Sequence, residues 1–529
     1  MTREHWKTRI GLILAMVGNA IGLGNFLRFP TQAAQNGGGA YIIPYFISLL
    51  LLGIPLMWLE WSMGRYGGKR GFGSPTGIFY SIKPKMISLY IGILGIFVSF
   101  TITVYYTYIE SWTLSYAILS FLNKLPSAPD IFSTPEDFTK PFNDFLIYNI
   151  GETRVKDFCI SDFCLKFYAP SLFFYLIFVI VFFINIFILL RGISEGIEKF
   201  SLFAMPLLFL MGIVLMIRIF LLESPHGISI DNALGFLWEP NFDGLKSAEV
   251  WINAAGQVFF TLSIGISIIM TYASYVDQGK DIALSGLATS MLNEFAEIVL
   301  GGSIALVAAV LFFGFSGAEQ VAKGGAFRLG FASLPAIFSE IKGGTIFGTI
   351  WFLLLFFAGI TSSIALASPF ISFLVDEIRL ERKRAVLITS VVWFVMSQLV
   401  IFLKGTLDEM DFWAGTFGLI TFAFIEIIYG CWILGDKKIY QELMEGAIIK
   451  VPKIFVFIMK YISPVYIFAI FLFWIYESYI LGKRPKADEN TIIVRIFMIL
   501  FLIAMVFLIK KYWRGNGKIR EDQLKNTEN

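Results

Sequence analysis

Three polar stretches interrupt otherwise apolar segments of the chain. They read GNAIGLGNFLRFP at residues 18–30, QVFFTLSIGIS at 257–267 and FFAGITSSIALASP at 356–369. Unwound backbone inside a membrane is tolerated only where it lines a cavity or binds a ligand. Hydroxyl and carbonyl oxygens are the ligands that suit a hard cation such as Na⁺. The three stretches therefore favour a cavity that binds an ion over ordinary membrane helices.

Each stretch also has a plainer interpretation. The Gly18–Gly22 spacing fits close helix packing, but packing does not explain amides at mid-membrane depth, Asn19 and Asn25. In the second stretch, hydroxyls bracket Gly265. In the third, three consecutive hydroxyls follow Ile360. A single Ser or Thr in a membrane helix usually bonds its own helix carbonyls, and that interpretation holds less well for a cluster.

Five acids lie inside or near the ends of apolar segments: Glu60, Glu110, Glu294, Glu297 and Glu426. Carboxyl groups are costly in hydrocarbon and usually face a bundle interior or a water-filled cavity. Hydrogen bonding between helices explains Glu60, Glu110 and Glu426 as well as a direct function does. As a set, the acids indicate a bundle with a polar interior.

The composition places the chain in a membrane. Of 529 residues, 57% are hydrophobic and only 15% are charged, against about 25% charged in soluble domains. A net charge of +3 is too small to indicate nucleic-acid binding. The chain has two histidines and three cysteines, which offer few ligands for a metal cluster. The basic N-terminus runs straight into an apolar segment, with no short cleavable signal peptide visible.

Apolar stretches of about 18 residues or more are candidate membrane helices. The sequence predicts twelve, numbered here as spans 1 to 12: 9–35, 39–65, 87–122, 169–190, 199–221, 250–274, 281–313, 343–374, 385–403, 411–434, 453–481 and 492–511. The fold class is thus an all-α membrane protein with a single transporter domain over residues 1–529.

Glycine-interrupted spans in corresponding positions of two halves are the pattern of an inverted-repeat transporter. Spans 1 and 6 are five apart, which predicts repeats at 9–222 and 249–434, followed by spans 11 and 12 at 453–511. Lys and Arg concentrate before span 1, after spans 2, 8 and 10, and in the tail. By the positive-inside rule, both termini are predicted to be cytoplasmic, and the plasma membrane is the expected location.

The loop at about 123–168 is then external and contains Cys159 and Cys164. A disulfide and two free thiols are equally good interpretations of this pair.

Six motifs carry a family resemblance over essentially the whole chain. They are NAIGLGNFLRFP, YYTYIESW, GQVFFTLSIG, LNEFAEIVLGGS, GITSSIA and DEMDFWAGT. The chain resembles the neurotransmitter:sodium symporter family, close to its bacterial leucine-transporting members. The resemblance implies sodium-coupled transport by alternating access, with the substrate between broken spans 1 and 6.

The resemblance also implies the site residues. One Na⁺ would be held by the Ala20 carbonyl and by Asn25, Thr261 and Asn293. A second would be held by the carbonyls of Gly18, Ile21 and Ala358 and the hydroxyls of Thr361 and Ser362. The substrate carboxylate and ammonium groups would meet Leu23, Gly24, Tyr106, Ala20, Phe260, Thr261 and Ser263. Its side chain would meet Ile102, Tyr106, Phe260, Ile266 and Leu366, with Ser362 at the edge.

Two features define the expected substrate and ions. Amine-carrying relatives have an aspartate where this chain has Gly22, so the substrate must bring its own carboxylate. The side-chain pocket is apolar, which predicts hydrophobic or aliphatic amino acids. Glu297 stands where chloride-dependent animal relatives have a serine, which predicts transport without chloride and allows this acid to take up a proton.

The resemblance further implies gates. Arg28 and Asp411 would form an external pair through water, above Phe260 and Tyr106. Arg3 and Asp376 would form an internal pair, with Trp6 and Tyr275 packed nearby. An outer vestibule would include Leu27, Tyr105, Ile109, Trp112, Phe327 and Asp408.

Other function classes fit less well. The sequence has no phosphate-binding loop of the GxxxxGK[ST] type, and no nucleophile–base pair is evident, so neither ATP-driven transport nor an enzyme is expected. An ion channel and a non-transporting amino-acid sensor on the same scaffold are the alternatives. Lipid and a small amino acid are the expected partners, nucleic acid is not, and the sequence leaves a homodimer open.

Overall fold

The structure is a computed structural model that describes residues 4–129, 134–160, 163–482 and 487–528. Within these residues, ten helices are long and apolar enough to cross a membrane. They are Gly39–Lys69, Met86–Phe121, Leu172–Leu190, Ile193–Phe220, Ile282–Lys323, Gly344–Asp376, Arg382–Phe402, Thr406–Met444, Ile454–Ile480 and Glu489–Trp513. They correspond to predicted spans 2–5 and 7–12.

Span 1 is a bent pair of helices, Arg9–Ala20 and Leu23–Gln35, with 59° between them. Counting this pair gives up to eleven crossings within the described residues. Span 6 consists of Ala248–Thr261 and Ile268–Ala273, which are each too short to cross a membrane alone. The predicted count of twelve is therefore approximate, and the two interrupted spans are where the sequence placed them.

Short elements connect the spans. Helices at Pro75–Ile82, Ile230–Trp238 and Leu334–Glu340 lie between them. The long loop between spans 3 and 4 contains the helix Pro135–Ile150, which begins at a capping box formed by Thr134 and Asp137. Reciprocal hydrogen bonds of this kind satisfy two of the free N–H groups at a helix start.

The loop between spans 3 and 4 also contains an antiparallel hairpin, Val155–Ile160 with Phe163–Tyr168. In this hairpin Cys159 lies opposite Cys164, and the two form a disulfide. The structure thus decides between the two interpretations of the cysteine pair, and it adds a two-stranded sheet that the sequence did not predict.

The core lies between spans 1, 3, 6 and 8. Spans 3 and 8 pack extensively against each other, and span 8 also packs against both halves of span 1 and the second half of span 6. In the most apolar part of span 8, 83% of residues are buried within the protein, whereas the figures for spans 11 and 12 are 28% and 22%. The last two spans are therefore peripheral.

Candidate substrate and ion site

The breaks of spans 1 and 6 face each other at the centre of the bundle. The break in span 6 covers residues 262–267 and contains three residues with left-handed backbone, Ser263, Gly265 and Ser267. Non-glycine residues rarely adopt this conformation, and it clusters at functional sites. The Ser263 hydroxyl donates to the Asn19 carbonyl across the gap, at 3.1 Å. The two unwound segments are thus bonded to each other.

A central cavity lies between the breaks. It is lined by Asn19, Ala20, Gly22, Gly24, Asn25, Ile102, Tyr106, Phe260, Thr261, Ser263, Ile266, Ser362 and Leu366. All the residues expected at the substrate are in this lining except Leu23, whose backbone N–H donates to the Tyr106 hydroxyl at 2.9 Å. None of the lining residues carries a charge. The cavity therefore combines unwound backbone with uncharged polar and apolar side chains.

Gly24 shows why this wall needs a residue without a side chain. A Cβ placed on Gly24 would lie 2.6 Å from Cε1 of Phe260, closer than carbon atoms approach. The aromatic ring of Phe260 therefore rests directly on the backbone of span 1.

A second, outer cavity shares Gly24, Tyr106 and Phe260 with the central one. Most of the expected vestibule lines it, namely Leu27, Tyr105, Ile109, Phe327 and Asp408. Trp112 instead lines a neighbouring pocket. The shared tyrosine and phenylalanine form the partition between the two cavities.

The side chains expected at the first sodium site form one buried cluster. The Asn25 amide donates to Thr261 Oγ1 at 3.0 Å and to Asn293 Oδ1 at 2.9 Å. Ala20 lines the same cavity as Asn25 and Thr261. The cluster is rich in oxygen atoms, which are the ligands that hard cations take.

Glu297 belongs to the same cluster. The Thr261 hydroxyl is hydrogen-bonded to its Oε2, and the Gln257 amide donates to its Oε1 at 2.6 Å. The Asn25 amide lies 3.3 Å from Oε2. The acid sits in a π-helical segment, Phe295–Leu306, and such turns often occur at functional sites. A fully buried carboxylate is thus placed beside the candidate cation ligands.

The candidate second sodium site is defined by the hydroxyl of Ser362. Carbonyl oxygens of Gly18, Asn19, Ile21 and Ala358 lie between 3.1 and 3.5 Å from Ser362 Oγ. One hydroxyl proton can serve only one of them well, while buried carbonyls normally have partners. A cation fits this surplus of oxygen lone pairs.

The other hydroxyls of this cluster behave differently. Thr361 Oγ1 donates to its own helix, at 2.9 Å from the Phe357 carbonyl and 3.2 Å from that of Ala358. Ser363 donates to Asn185 Oδ1 at 2.7 Å. Of the three consecutive hydroxyls, only Ser362 reaches the break of span 1.

The expected gate residues have identifiable contacts. The Arg28 guanidinium lies over the Phe260 ring, 4.6 Å from its centroid, and Asp411 accepts from the Tyr105 hydroxyl at 2.6 Å. Arg28 and Asp411 both line the outer cavity. Arg28 therefore contacts an aromatic ring at this cavity, and Asp411 contacts a tyrosine hydroxyl.

On the opposite side, Arg3 lies outside the described residues, and its expected partner Asp376 accepts from the Gly73 N–H at 2.7 Å. Trp6 donates to the Tyr272 carbonyl at 3.1 Å, and the Tyr275 hydroxyl lies 3.0 Å from Ser372 Oγ. Both aromatic side chains are buried, so they pack into this side of the bundle.

Sequence reasoning missed two features of the site. Both polar atoms of the Asn19 side chain are buried without a hydrogen-bond partner among the described residues, and this residue lines the cavity. Glu294, next to Asn293, accepts from the Tyr45 hydroxyl at 2.6 Å, so a second acid borders the cluster. The only sequence signal for either was a polar residue at membrane depth.

Comparison with known proteins identifies a family of sodium-dependent transporters. A model of the sodium:neurotransmitter symporter family matches residues 3–513. An uncharacterised sodium-dependent transporter of Methanocaldococcus jannaschii is 30% identical over 89% of this chain and 90% of its own length. A sodium-dependent nutrient amino acid transporter of Drosophila persimilis is 26% identical over 89% of this chain and 75% of its own.

A solved structure is also similar. MhsT in complex with L-phenylalanine superposes with a TM-score of 0.73 at 26% identity, covering 89% of this chain and 99% of that one. These proteins are multi-pass membrane transporters and not enzymes. The chain belongs to the sodium:neurotransmitter symporter family.

Proposed function

We propose that the protein is a sodium-coupled secondary active symporter of hydrophobic, mainly aliphatic, L-amino acids, and that it works by alternating access without chloride. The observation that carries this proposal is the central cavity, whose uncharged lining combines unwound backbone of spans 1 and 6 with apolar side chains. A substrate carboxylate would meet the N–H groups of Leu23 and Gly24, and its ammonium group would meet carbonyls of the two breaks.

Two details support an amino acid. Gly22 supplies no acid to the cavity, so the substrate carboxylate completes the coordination of the first Na⁺. The apolar walls come from Ile102, Phe260, Ile266 and Leu366. MhsT, the structural relative, was solved with a hydrophobic amino acid.

Two Na⁺ ions accompany the substrate in this proposal. The first takes oxygens of Ala20, Asn25, Thr261 and Asn293, and the second takes those of Gly18, Ile21, Ala358, Thr361 and Ser362. At the first site Glu297 supplies the negative charge that chloride supplies in other members. The second site needs no fixed charge, because carbonyl dipoles alone replace part of the ion's water shell.

The same proposal includes the topology. Residues 9–222 and 249–434 form the inverted repeats, and 453–511 form the two peripheral spans. Both termini face the cytoplasm, and the plasma membrane is the location. The outer charge pair is Arg28 with Asp411, and the inner charge pair is Arg3 with Asp376. Partly solvated ion pairs stabilise a closed state by only about 1 kcal/mol, so such pairs can open and close as gates.

Thermal stabilisation by a panel of amino acids tests the substrate class. In sodium gluconate, we expect leucine, isoleucine, valine and methionine to raise the melting temperature of the purified protein, because a ligand that binds only the folded state stabilises it. Lysine and glutamate should not, because the cavity would leave their side-chain charges unpaired. Potassium gluconate is the control. Stabilisation by lysine or glutamate alone would contradict the apolar-substrate proposal.

Uptake into proteoliposomes separates the symporter from its alternatives. A symporter accumulates the amino acid against its gradient, saturably, when Na⁺ is higher outside. A channel on the same scaffold conducts without accumulation, and a sensor binds amino acid without uptake. Binding without accumulation in a reconstituted, correctly folded sample would therefore favour the sensor.

A further inference from the structure

A third cavity lies beside the outer one, where the long loop between spans 3 and 4 meets spans 3, 9 and 10, and we call it the side cavity. Its volume is about 280 Å³. It shares Phe327, Leu407 and Asp408 with the outer cavity and no lining residue with the central one. A water molecule takes about 30 Å³ in the liquid, so the side cavity has room for a small organic molecule.

Two walls of the side cavity are joined by backbone hydrogen bonds. Tyr168, from the hairpin of the loop, and Leu403, at the end of span 9, both line the cavity. Leu403 forms an antiparallel bridge with Phe167, and the Lys404 N–H donates to the Lys166 carbonyl at 3.1 Å. These bonds hold the hairpin against the end of span 9, so the side cavity is built into the fold.

Three buried side chains of the lining lack hydrogen-bond partners. The Tyr108 hydroxyl, Trp112 Nε1 and the Thr406 hydroxyl have none within the described residues, although each residue is at most 3% exposed. Buried polar atoms are normally bonded. The rings of Tyr108 and Trp112 pack edge to face, with 5.1 Å between their centroids. An indole N–H only donates, whereas a hydroxyl donates and accepts, so the three groups suit a ligand hydroxyl.

The charged residues of the lining favour a cation. The side chains of Glu152 and Asp408 reach the surface, and neither has an ion-pair partner in the described part of the chain. The third charged residue, Arg328, is paired with Glu136 at 3.0 Å. Partial burial raises the pKa of the Glu152 carboxyl, and Asp408 raises it further, while Lys404 has the opposite effect. A positive group near both acids would offset their repulsion.

We propose that the side cavity binds a small organic cation that carries a hydroxyl group. The ammonium group of this ligand lies near the carboxylates of Glu152 and Asp408, and its hydroxyl bonds the buried polar groups of Tyr108, Trp112 and Thr406. Since the side cavity shares no lining residue with the central cavity, the cation binds beside an amino acid and does not replace it.

Titration calorimetry with choline tests the ligand class on the purified protein, in the absence of amino acids. We expect saturable binding of choline. Tetramethylammonium has the charge but no hydroxyl, so it should bind more weakly. Dimethylbutanol, the uncharged carbon isostere of choline, should not bind. Equal binding of dimethylbutanol and choline would contradict the requirement for a cation, and no saturable binding of choline would overturn the proposal.

Variants locate the bound choline. T406V keeps the shape of the side chain and loses no hydrogen bond within the protein, so it should fold normally. We expect it to bind choline about fivefold more weakly, as for one lost hydrogen bond, and to bind tetramethylammonium unchanged. E152Q should weaken the binding of both cations. T389V is the matched control, because Thr389 is equally buried but its hydroxyl bonds the Ala385 carbonyl at 2.8 Å.

Three results with these variants would overturn the site. They are unchanged choline binding in both T406V and E152Q, a loss in T389V equal to that in T406V, and a choline affinity that falls in proportion to added leucine. The last result would place choline in the central cavity. Because the other titrations contain no amino acid, they do not depend on the proposed transport function. Normal choline binding by a protein that binds no amino acid would overturn that function alone.

Discussion

Replacing Glu297 with serine makes amino-acid binding depend on chloride. In sodium gluconate, we expect the variant to lose affinity on the order of 100-fold, since truncating one partner of a buried charge pair costs about 2–5 kcal/mol. The wild-type carboxylate is fully buried and accepts from Gln257 and Thr261. Serine removes the charge but leaves those donors and the space beside them. Chloride then restores the affinity, because a small anion fits where the carboxylate was.

Glutamine at position 297 is the matched comparison. E297Q fills the space of the carboxylate without its charge, so its affinity should be low in gluconate and should stay low in chloride. The E110Q variant controls for loss of a buried acid as such, because Glu110 bonds Asn185 and lies outside this cluster. Binding is measured by isothermal titration in sodium gluconate and in sodium chloride. E297S that binds normally in gluconate, or that chloride fails to restore, would show that Glu297 is not the substitute for chloride.

The sequence predicted where the helices break but not how. Glycines with amides located the break in span 1, and a glycine between hydroxyls located the break in span 6, because an ordinary apolar membrane helix does not explain these residues. The length of the second break, 262–267, depends on left-handed Ser263 and Ser267. Serine has no intrinsic preference for that conformation, so only the surrounding structure can impose it. Such a feature is set by tertiary packing and is not visible in one sequence.

Contacts between distant spans were likewise hidden. Motif positions gave the lining of the cavity almost completely, since the family resemblance fixes which helix faces point inward. The hydrogen bond from the Gly265 N–H to Glu60 joins residues 205 positions apart. No pattern in either segment indicates that the two residues are in contact. The same is true of the hairpin in the loop between spans 3 and 4, where an apolar–polar pattern is too short to separate a strand from a coil.

Sodium should bind more weakly when the two hydroxyls proposed for the second sodium site are removed. In the double variant T361V/S362A, we expect the half-saturating Na⁺ concentration for amino-acid binding to rise about tenfold or more, because each lost oxygen ligand is worth about 1 kcal/mol. Ser362 Oγ is the point at which four backbone carbonyls converge. Removing it leaves those carbonyls without the side-chain ligand that completes the shell.

Ser363 is the control that the chain itself provides. It is the next residue, it is equally buried within the core, and its hydroxyl donates to Asn185 instead of approaching the break. S363A should therefore leave the sodium titration unchanged, although it removes the same chemical group from the same helix. Titration of Na⁺ at several fixed amino-acid concentrations separates the effects on the two ligands. If the substitutions weaken only sodium binding, saturating Na⁺ should restore the amino-acid affinity. If S363A raised the half-saturating Na⁺ concentration as much as T361V/S362A does, the effect would come from packing of the helix and not from ion binding. If T361V/S362A left that concentration unchanged, the second sodium site would be contradicted.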